Sequence, residues 1–182
     1  MQRIELQDGA YLELDPEWLP EADAVQLALM REIPFEARAI KLFGREVMQP
    51  RLVAWVGDAE AVYAYSGVRH EPLPWTPTLR ALRAKLAQSD LAFNGVLCNL
   101  YRDGRDSMGL HSDSEPELGP DPIVASLSLG ATRRFQLRHR RSDHALEVAL
   151  THGSLLVMRG TTQRFYRHAV PKQRTNTAPR IN

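Results

Sequence analysis

Apolar residues at helical spacing mark one stretch in the first half of the chain. Leu79, Leu82 and Leu86 form a single apolar stripe. Thr76, a favourable N-cap residue, and Pro77, which suits the first helical position, precede this stripe. The pattern therefore predicts an amphipathic helix whose first residue is Pro77.

The remainder of this half combines another helix with short strands. Residues 21–33 have helical composition, and Pro34 ends the predicted helix. Residues 40–47, 51–57 and 61–68 are rich in β-branched and aromatic side chains, and Gly, Pro and Asp separate them. We expect these three segments to be strands or the arms of hairpins.

After residue 90 the chain consists of short alternating runs. Turn-forming pairs such as Asp103-Gly104 and His152-Gly153 separate these runs. The runs are FNGVLCNLY, IVASLSLG, RRFQLRH, ALEVAL, SLLVMRG and RFYRHAV. Such spacing is typical of an antiparallel sandwich or barrel. The predicted class is α+β, with a jelly-roll-like second half.

Composition limits the broad class of the protein. The 182 residues are 43% hydrophobic and 25% charged, as in ordinary globular chains. The single cysteine, Cys98, forms no intramolecular disulfide. No apolar run has the length of roughly 18 residues that a membrane span needs, and the first residues lack the pattern of a signal peptide. We expect an intracellular monomer, cytoplasmic if the source is bacterial, without membrane contact.

The distribution of positive charge says more than the net charge of +1. Of the 23 basic residues, only Lys41, Lys85 and Lys172 are lysines. Arginine pairs with phosphate in a bidentate manner, although a GC-rich genome also favours it. The cluster from Arg133 to Arg141 is either a solvated face or a phosphate-contacting ridge.

Residues at alternate positions suggest a metal site. His111 and Asp113 point to the same side if their segment is extended. With His168, late in the chain, they would form the two-His, one-carboxylate set of non-haem Fe(II) oxygenases. Spacing alone leaves two alternatives open, an ordinary surface pair and a zinc site of a hydrolase, which uses the same ligand types.

Two further pairs share this alternate spacing. Asn99 and Tyr101 lie on one face of a predicted strand whose other face is apolar, so they meet either a polar network or a ligand. Arg180 and Asn182 also share a face. An arginine that points into a barrel needs an anion, whereas a frayed terminus needs no partner.

The motifs together resemble those of the AlkB family of Fe(II)- and 2-oxoglutarate-dependent dioxygenases. The similar stretches are KLFGREVMQPRLVAWVGD, VYAYSG, NLYRDGRDSMGLHSDSEPELGPDPIVASLSLGATRRF, HGSLLVMRGTTQRFYRHAVPK and PRIN. They cover roughly residues 40–182, and the branch that includes the nuclear human repair homologues is the most similar. The resemblance implies one domain over 1–182: an N-terminal extension and nucleotide-recognition lid over about 1–89, built from helices and β-hairpins, and a double-stranded β-helix core over about 90–182.

The resemblance also implies roles for the paired residues. The implied Fe(II) ligands are His111, Asp113 and His168, and the implied 2-oxoglutarate contacts are Asn99, Tyr101, Arg180 and Asn182. In the family motif a second arginine follows six residues after the first. The sequence ends at Asn182, so either it is shortened or the cosubstrate site is incomplete.

The implied reaction uses O2 to oxidise an N-alkyl group of a nucleic-acid base such as 1-methyladenine or 3-methylcytosine, with formaldehyde and succinate as products. Tyr65 would stack on the flipped base, with Tyr63 on the same face, and Glu115 would contact its exocyclic amine. Phe43 would wedge into the base stack, and Arg51 would grip phosphate. Core packing is the alternative for the two tyrosines and for Phe43.

Three questions stay open at this stage. The substrate is DNA or RNA, single- or double-stranded. A related oxygenase that acts on RNA or on a protein side chain would carry the same ligands. A homologue with weakened catalysis would keep nucleic-acid binding and retain the metal as structure.

Overall fold

The computed structural model describes residues 1–42, 44–65, 68–175 and 178–182, without the side chains of 41–42, 63–65 and 68–70. The strands are β1 (Gln2–Glu5), β2 (Ala10–Asp15), β3 (Glu36–Leu42), β4 (Arg45–Gly57), β5 (Tyr63–Tyr65), β6 (Val68–His70), β7 (Gly95–Tyr101), β8 (Met108–His111), β9 (Val124–Leu127), β10 (Leu129–Gly130), β11 (Arg133–His139), β12 (Ala145–Leu150), β13 (Leu155–Gly160), β14 (Tyr166–Val170) and β15 (Arg180–Ile181). The helices are α1 (Ala22–Glu32), α2 (Pro77–Ala87) and α3 (Thr162–Phe165), with a 3-10 turn over Pro116–Leu118.

Two four-stranded antiparallel sheets enclose the core that supports the site. One has the order β12-β11-β14-β8 and the other β1-β2-β13-β9. Leu12, Leu137, Leu156 and Phe135 come from both sheets and pack in one buried cluster. Alternation along each strand supplies this inner apolar face. The jelly-roll architecture predicted for the second half of the chain is confirmed.

A five-stranded sheet, ordered β10-β15-β7-β4-β3, carries α1 and α2 on its outer face. Leu29 of α1 and Leu79 of α2 pack with Ala54, Cys98 and Leu100 in a second buried cluster. Burial raises the pKa of Cys98 to about 12, so its thiol stays protonated. The other face of β7 is therefore free to meet the interior of the barrel.

Both helices predicted before residue 90 are confirmed. The hydroxyl of Thr76 accepts a hydrogen bond from the backbone N–H of Leu79 at 3.3 Å, which caps α2 as the sequence indicates. Helix α1 starts at Ala22 and its last residue is Glu32. None of the helices among the described residues has the length and apolar character needed to cross a lipid bilayer.

The structure corrects two sequence-based expectations and adds one hairpin that was not predicted. Pro50 does not separate two strands, because β4 runs through it opposite a register shift between Ala37 and Ala39, where the missing proline N–H is tolerated. The final strand run begins at Tyr166 rather than Arg164, after the single turn of α3. The hairpin β1–β2 was not predicted, although apolar and polar residues alternate along both strands and the Asp8-Gly9 pair between them favours a turn.

The boundary proposed near residue 90 stays a prediction. Strands on both sides of it share sheets, since β2 pairs with β13 and β4 pairs with β7. Phe43, assigned to the predicted lid, lies outside the described residues, as do the side chains of Tyr63 and Tyr65. The backbone of β5 pairs with β6 in a short antiparallel hairpin.

Candidate active site

Strand pairing brings two histidines together. His111, at the end of β8, is the register partner of His168 in β14. Register partners point to the same side of a sheet, and the two imidazole centroids lie 4.2 Å apart at an interplanar angle of 64°. The sheet itself therefore fixes the spacing of these two ligand candidates.

Asp113 completes the group from just beyond the end of β8. Its Oδ2 lies 3.4 Å from Nε2 of His168, and its Oδ1 lies 3.7 Å from Nε2 of His111. The candidate ligand atoms of the three residues all lie within 4.8 Å of one another. Bonds of about 2 Å to a first-row metal put neighbouring ligand atoms about 3 Å apart, so the three side chains fit around one ion after a small contraction.

The protonation states also fit a metal site. Nδ1 of His111 donates to the carbonyl oxygen of Gly109 at 2.9 Å, which leaves the lone pair of Nε2 for a metal. Burial, together with the neighbouring His168, lowers the pKa of His111 to about 4, so its ring is neutral near pH 7. Burial opposes ionisation of Asp113, but the two imidazoles outweigh it and lower the pKa of the carboxyl.

Arg180 is a buried cation with unused donors. Its side chain lies in β15, opposite Tyr101 of β7, and the residue is only 1% exposed. Nη2 donates to the hydroxyl of Ser128 at 3.0 Å, but Nε and Nη1 have no partner within the part of the chain that the structure describes. Burial lowers the pKa of Arg180 to about 10. A carboxylate would satisfy both the charge and the free N–H groups.

The neighbouring polar residues surround this arginine. The Tyr101 ring has the Arg180 guanidinium at 5.4 Å from its centroid. The backbones of Asn99 and Asn182 exchange two hydrogen bonds of 2.8 and 2.9 Å, which extends the β7–β15 pairing. The side-chain nitrogen of Asn182 donates to Ser126 Oγ at 2.7 Å and to the carbonyl oxygen of Leu127 at 2.8 Å.

One cavity of about 290 Å3 joins the two groups. Apolar Leu118 and Ile123, which are 40% and 43% exposed, line it together with the polar residues. The polar and ionisable lining residues discussed above are Asn99, Tyr101, His111, Asp113, Ser126, His168 and Asn182. Arg180 itself does not line the cavity, but its neighbour Tyr101 does. A metal at the first group and a cosubstrate beside Tyr101 would therefore face the same space.

Comparison with known proteins identifies the family. The model of the 2OG-Fe(II) oxygenase superfamily matches residues 12–182. Alpha-ketoglutarate-dependent dioxygenase alkB homolog 3 of Bos taurus is 42% identical over 175 residues, covering 90% of this chain and 60% of its own. DNA oxidative demethylase ALKBH2 of Mus musculus is 37% identical, covering 89% of this chain and 73% of its own. The chain belongs to the AlkB family of 2OG-Fe(II) oxygenases.

Solved structures support the same fold. The chain matches the structure of OsALKBH1 with a TM-score of 0.64 at 19% identity, over 98% of this chain and 97% of that one. A Trichoplax adhaerens prolyl hydroxylase, in complex with a hypoxia-inducible factor peptide, matches with a TM-score of 0.63 at 13% identity, over 93% of this chain and 80% of that one.

The family match and the His-Asp-His group identify the cofactors of this AlkB-family chain as Fe(II) and 2-oxoglutarate, with O2. The chain spans about 60% of the length of the alkB homolog 3 proteins that it matches.

Of the predicted substrate contacts in this AlkB-family protein, two have described side chains. Arg51 is buried, and its Nε donates to Oδ1 of Asn99 at 2.7 Å. It therefore lies against a residue of the predicted cosubstrate group. Glu115 is half-buried at the start of the 3-10 turn, and the residues that line the cavity do not include it. Phe43 and the side chains of Tyr63 and Tyr65 lie outside the described residues.

The interpretation of Arg133–Arg141 as one exposed ridge is wrong for Arg133. This residue is 1% exposed, and its guanidinium donates to the carbonyl oxygens of Asp103, Asp106 and Pro171 at 3.2, 2.8 and 2.7 Å. The alternation of β11 explains the error, because Arg133 shares the inward face with Phe135.

Sequence reasoning missed three residues around the site. Ser126 and Ser128 bond to Asn182 and Arg180, and the alternation in SLSLG could have indicated them as a polar pair on one face. Gln163, which is 1% exposed, accepts a hydrogen bond from the backbone N–H of Asp113 at 3.0 Å. No sequence spacing links residues that are 50 positions apart.

Proposed function

We propose that the protein is an oxidative demethylase that uses Fe(II) and 2-oxoglutarate to remove N-alkyl groups from nucleic-acid bases. DNA bases of the 1-methyladenine and 3-methylcytosine type are the proposed substrates, with RNA as a second polymer to test. The observation that carries this proposal is the single cavity that joins a His-Asp-His group to the residues beside a buried, incompletely paired arginine. Mouse ALKBH2, a relative at 37% identity, is named as a DNA oxidative demethylase.

In this proposal the residues of the metal end hold Fe(II). His111, Asp113 and His168 would supply three ligands on one face, and other coordination positions would remain available. When bound, the iron and 2-oxoglutarate supply the oxidising chemistry that hydroxylates the N-alkyl carbon, with decarboxylation of the cosubstrate to succinate. A hydroxylated N-alkyl carbon is a hemiaminal, which releases formaldehyde and leaves the unmodified base.

The residues of the other end orient the cosubstrate. Arg180 would bind the carboxylate far from the iron, where burial strengthens each charge-assisted hydrogen bond. Tyr101 would donate its hydroxyl to the same molecule, and Asn99 would contact it from the adjacent position of the same face. The apolar barrel wall around them excludes water from the reacting groups.

Exposed arginines favour a phosphate-bearing partner. Arg138 of β11 and Arg167 of β14 are register partners, and both are exposed. Like charges directly opposite each other destabilise a sheet, whereas a phosphate between them would remove that repulsion. Arg140 lies in the same region, since its Nη2 bonds to Ser112 Oγ and the charge of Arg167 helps burial to lower its pKa. Arg138 and Arg167 lie on the outer face of the sheet that carries His111 and His168, and Arg140 follows the end of β11.

The substrate proposal is tested with methylated oligonucleotides. Iron-loaded protein with 2-oxoglutarate and a 3-methylcytosine oligonucleotide should release one formaldehyde and one succinate for each base restored. The panel should contain single- and double-stranded DNA and RNA, with Asp113→Ala as the inactive control. Absence of formaldehyde with every methylated polymer, despite bound iron, would refute the proposal. An intracellular, monomeric protein is part of the same hypothesis and is checked by fractionation and sedimentation.

Binding of the polymer has its own test. Arg138→Gln and Arg167→Gln should each weaken oligonucleotide binding at all sequences and reduce the salt dependence of log K by about 1. Arg3→Gln is a matched control, since Arg3 is an exposed arginine on β1, at the edge of the other sheet. If all three variants and the unmodified protein showed equal salt dependence, Arg138 and Arg167 would not contact the phosphates of the polymer.

A further inference from the structure

Asp113 is the one residue of the metal group that no strand holds. His111 and His168 are fixed as register partners of β8 and β14. Asp113 comes after the last residue of β8, in a segment without regular structure. A ligand on such a segment needs another constraint, because an error of about 1 Å in its position weakens a preorganised site.

A buried side chain supplies that constraint. The Oε1 atom of Gln163 accepts a hydrogen bond from the backbone N–H of Asp113 at 3.0 Å. Gln163 is 1% exposed, so water does not compete readily for this bond. Its Nε2 lies 3.5 Å from Sδ of Met158, a weak acceptor, so the oxygen of the amide is the end directed at the N–H group.

The segment around Gln163 is itself anchored. The hydroxyl of Thr161 donates to the carbonyl oxygen of Asp8 at 2.6 Å, which ties the start of α3 to the β1–β2 hairpin. The hydroxyl of Thr162 lies 2.5 Å from the carbonyl oxygen of Arg159 and 3.2 Å from that of Tyr11. Because α3 leads directly into β14, the turn that carries Gln163 also sets the start of the strand that carries His168.

We propose that Gln163 is a positioning residue for the metal centre, holding the Asp113 backbone so that the carboxylate meets both imidazoles. The inference rests on the proposed function for its relevance to turnover. Outer contacts of metal ligands typically alter metal affinity by about tenfold to a hundredfold. The exposed contact between Arg140 and Ser112 also reaches this segment, but water can replace an exposed hydrogen bond more easily than a buried one.

The test measures metal affinity without turnover. Mn(II) binding to the full chain, followed by electron paramagnetic resonance, should be about tenfold to a hundredfold weaker for Gln163→Met, which keeps the volume but removes the acceptor. Gln163→Glu keeps an acceptor at the same place and should bind Mn(II) at least as tightly as the unmodified protein, because a carboxylate near the ion attracts it. Gln163→Leu replaces the Met variant if that one does not fold.

Gln173→Met is the matched control. Gln173 also accepts a backbone N–H, that of Arg134, at 2.9 Å, but it is not part of the metal group. Its variant should bind Mn(II) as the unmodified protein does. Unchanged affinity in Gln163→Met, or equal losses in Gln163→Met and Gln163→Glu, would overturn the inference. Because Mn(II) binding needs no substrate, neither result bears on the demethylase proposal, which fails only if the unmodified protein does not demethylate.

Discussion

The two ends of the cavity solve opposite electrostatic problems. At the metal end, a carboxylate lies between two imidazoles, and the His111 and Asp113 side chains keep 18% and 25% of their surface exposed. At the cosubstrate end, Arg180 is 1% exposed, and two of its nitrogen atoms lack partners in the described part of the chain. The first end holds an anion beside a neutral His111 ring, and it stays partly open to solvent before any ligand binds. The second holds an uncompensated cation.

This difference predicts which end reduces the stability of the free protein. A buried charge without a full set of partners is unfavourable by several kcal/mol in principle. A buried arginine whose three nitrogen atoms all donate is less costly, and Arg133 provides that case within the same barrel. Both guanidiniums lie 5.4 Å from the Tyr101 ring centroid. The two arginines therefore differ in their hydrogen-bond partners and not in their distance from Tyr101.

The largest expected effect is at the metal end. Asp113→Asn keeps the shape of the side chain but removes the only anion of the group, so metal affinity should fall by more than about a hundredfold, beyond the usual effect of outer contacts. Activity should fall to background. Titration with Mn(II) and formaldehyde release measure the two results.

Asp121→Asn is the control for that change. Asp121 pairs with Arg164 on the surface at 2.5 Å, outside the metal group. Its backbone has a φ of 50°, which Asn tolerates. Metal affinity should be unchanged. If Asp113→Asn bound Mn(II) as tightly as Asp121→Asn, the metal site would lie elsewhere.

The next effect separates stability from function at the cosubstrate end. Arg180→Met replaces an incompletely paired buried cation with an apolar side chain of similar length, so the free protein should become more stable by about 1–4 kcal/mol. The same variant should lose the stabilisation that 2-oxoglutarate gives the unmodified protein, about 4 kcal/mol at a thousand times Kd. Thermal unfolding with and without 2-oxoglutarate measures both changes.

Arg133→Met should have the opposite effect on the stability of the free protein, because Arg133 is well paired and Arg180 is not. Its removal leaves the carbonyl oxygens of Asp103, Asp106 and Pro171 without their donor, so the free protein should lose about 1–3 kcal/mol or more. Stabilisation by 2-oxoglutarate should persist. Destabilisation of equal size in both arginine variants would show that Arg180 is adequately paired without a ligand.

The sequence predicted those site residues that alternate along a strand. His111 with Asp113, Asn99 with Tyr101, and the pair at the C-terminus were all proposed from alternate spacing. The structure brings five of these six side chains to the wall of one cavity, and the sixth, Arg180, lies beside Tyr101. Period-two spacing depends only on the local chain. It predicts which side chains share a face because a strand places alternate side chains on the same side.

The contacts that sequence reasoning missed depend on tertiary structure. Gln163 meets Asp113 only because α3 lies beside the end of β8. The inward direction of Arg133 depends on the phase of β11, and a one-residue change of phase would have exposed it. The path of β4 through Pro50 depends on an irregularity in its partner strand. None of these features has a fixed offset in the chain.

The smallest predicted effect concerns two serines at this end of the cavity. Ser128 accepts a hydrogen bond from Arg180, and Ser126 accepts one from Asn182. Ser128→Ala removes the acceptor used by Nη2 of Arg180, and 2-oxoglutarate affinity should fall about fivefold, as the loss of roughly 1 kcal/mol implies. Ser126→Ala should have less effect, because the side-chain nitrogen of Asn182 keeps its second bond, to the carbonyl oxygen of Leu127. Isothermal titration with 2-oxoglutarate separates the two. If the Ser126 variant bound 2-oxoglutarate more weakly than the Ser128 variant, the orientation of Asn182 would matter more to cosubstrate binding than the orientation of Arg180. The cation would then not be the feature that controls cosubstrate affinity.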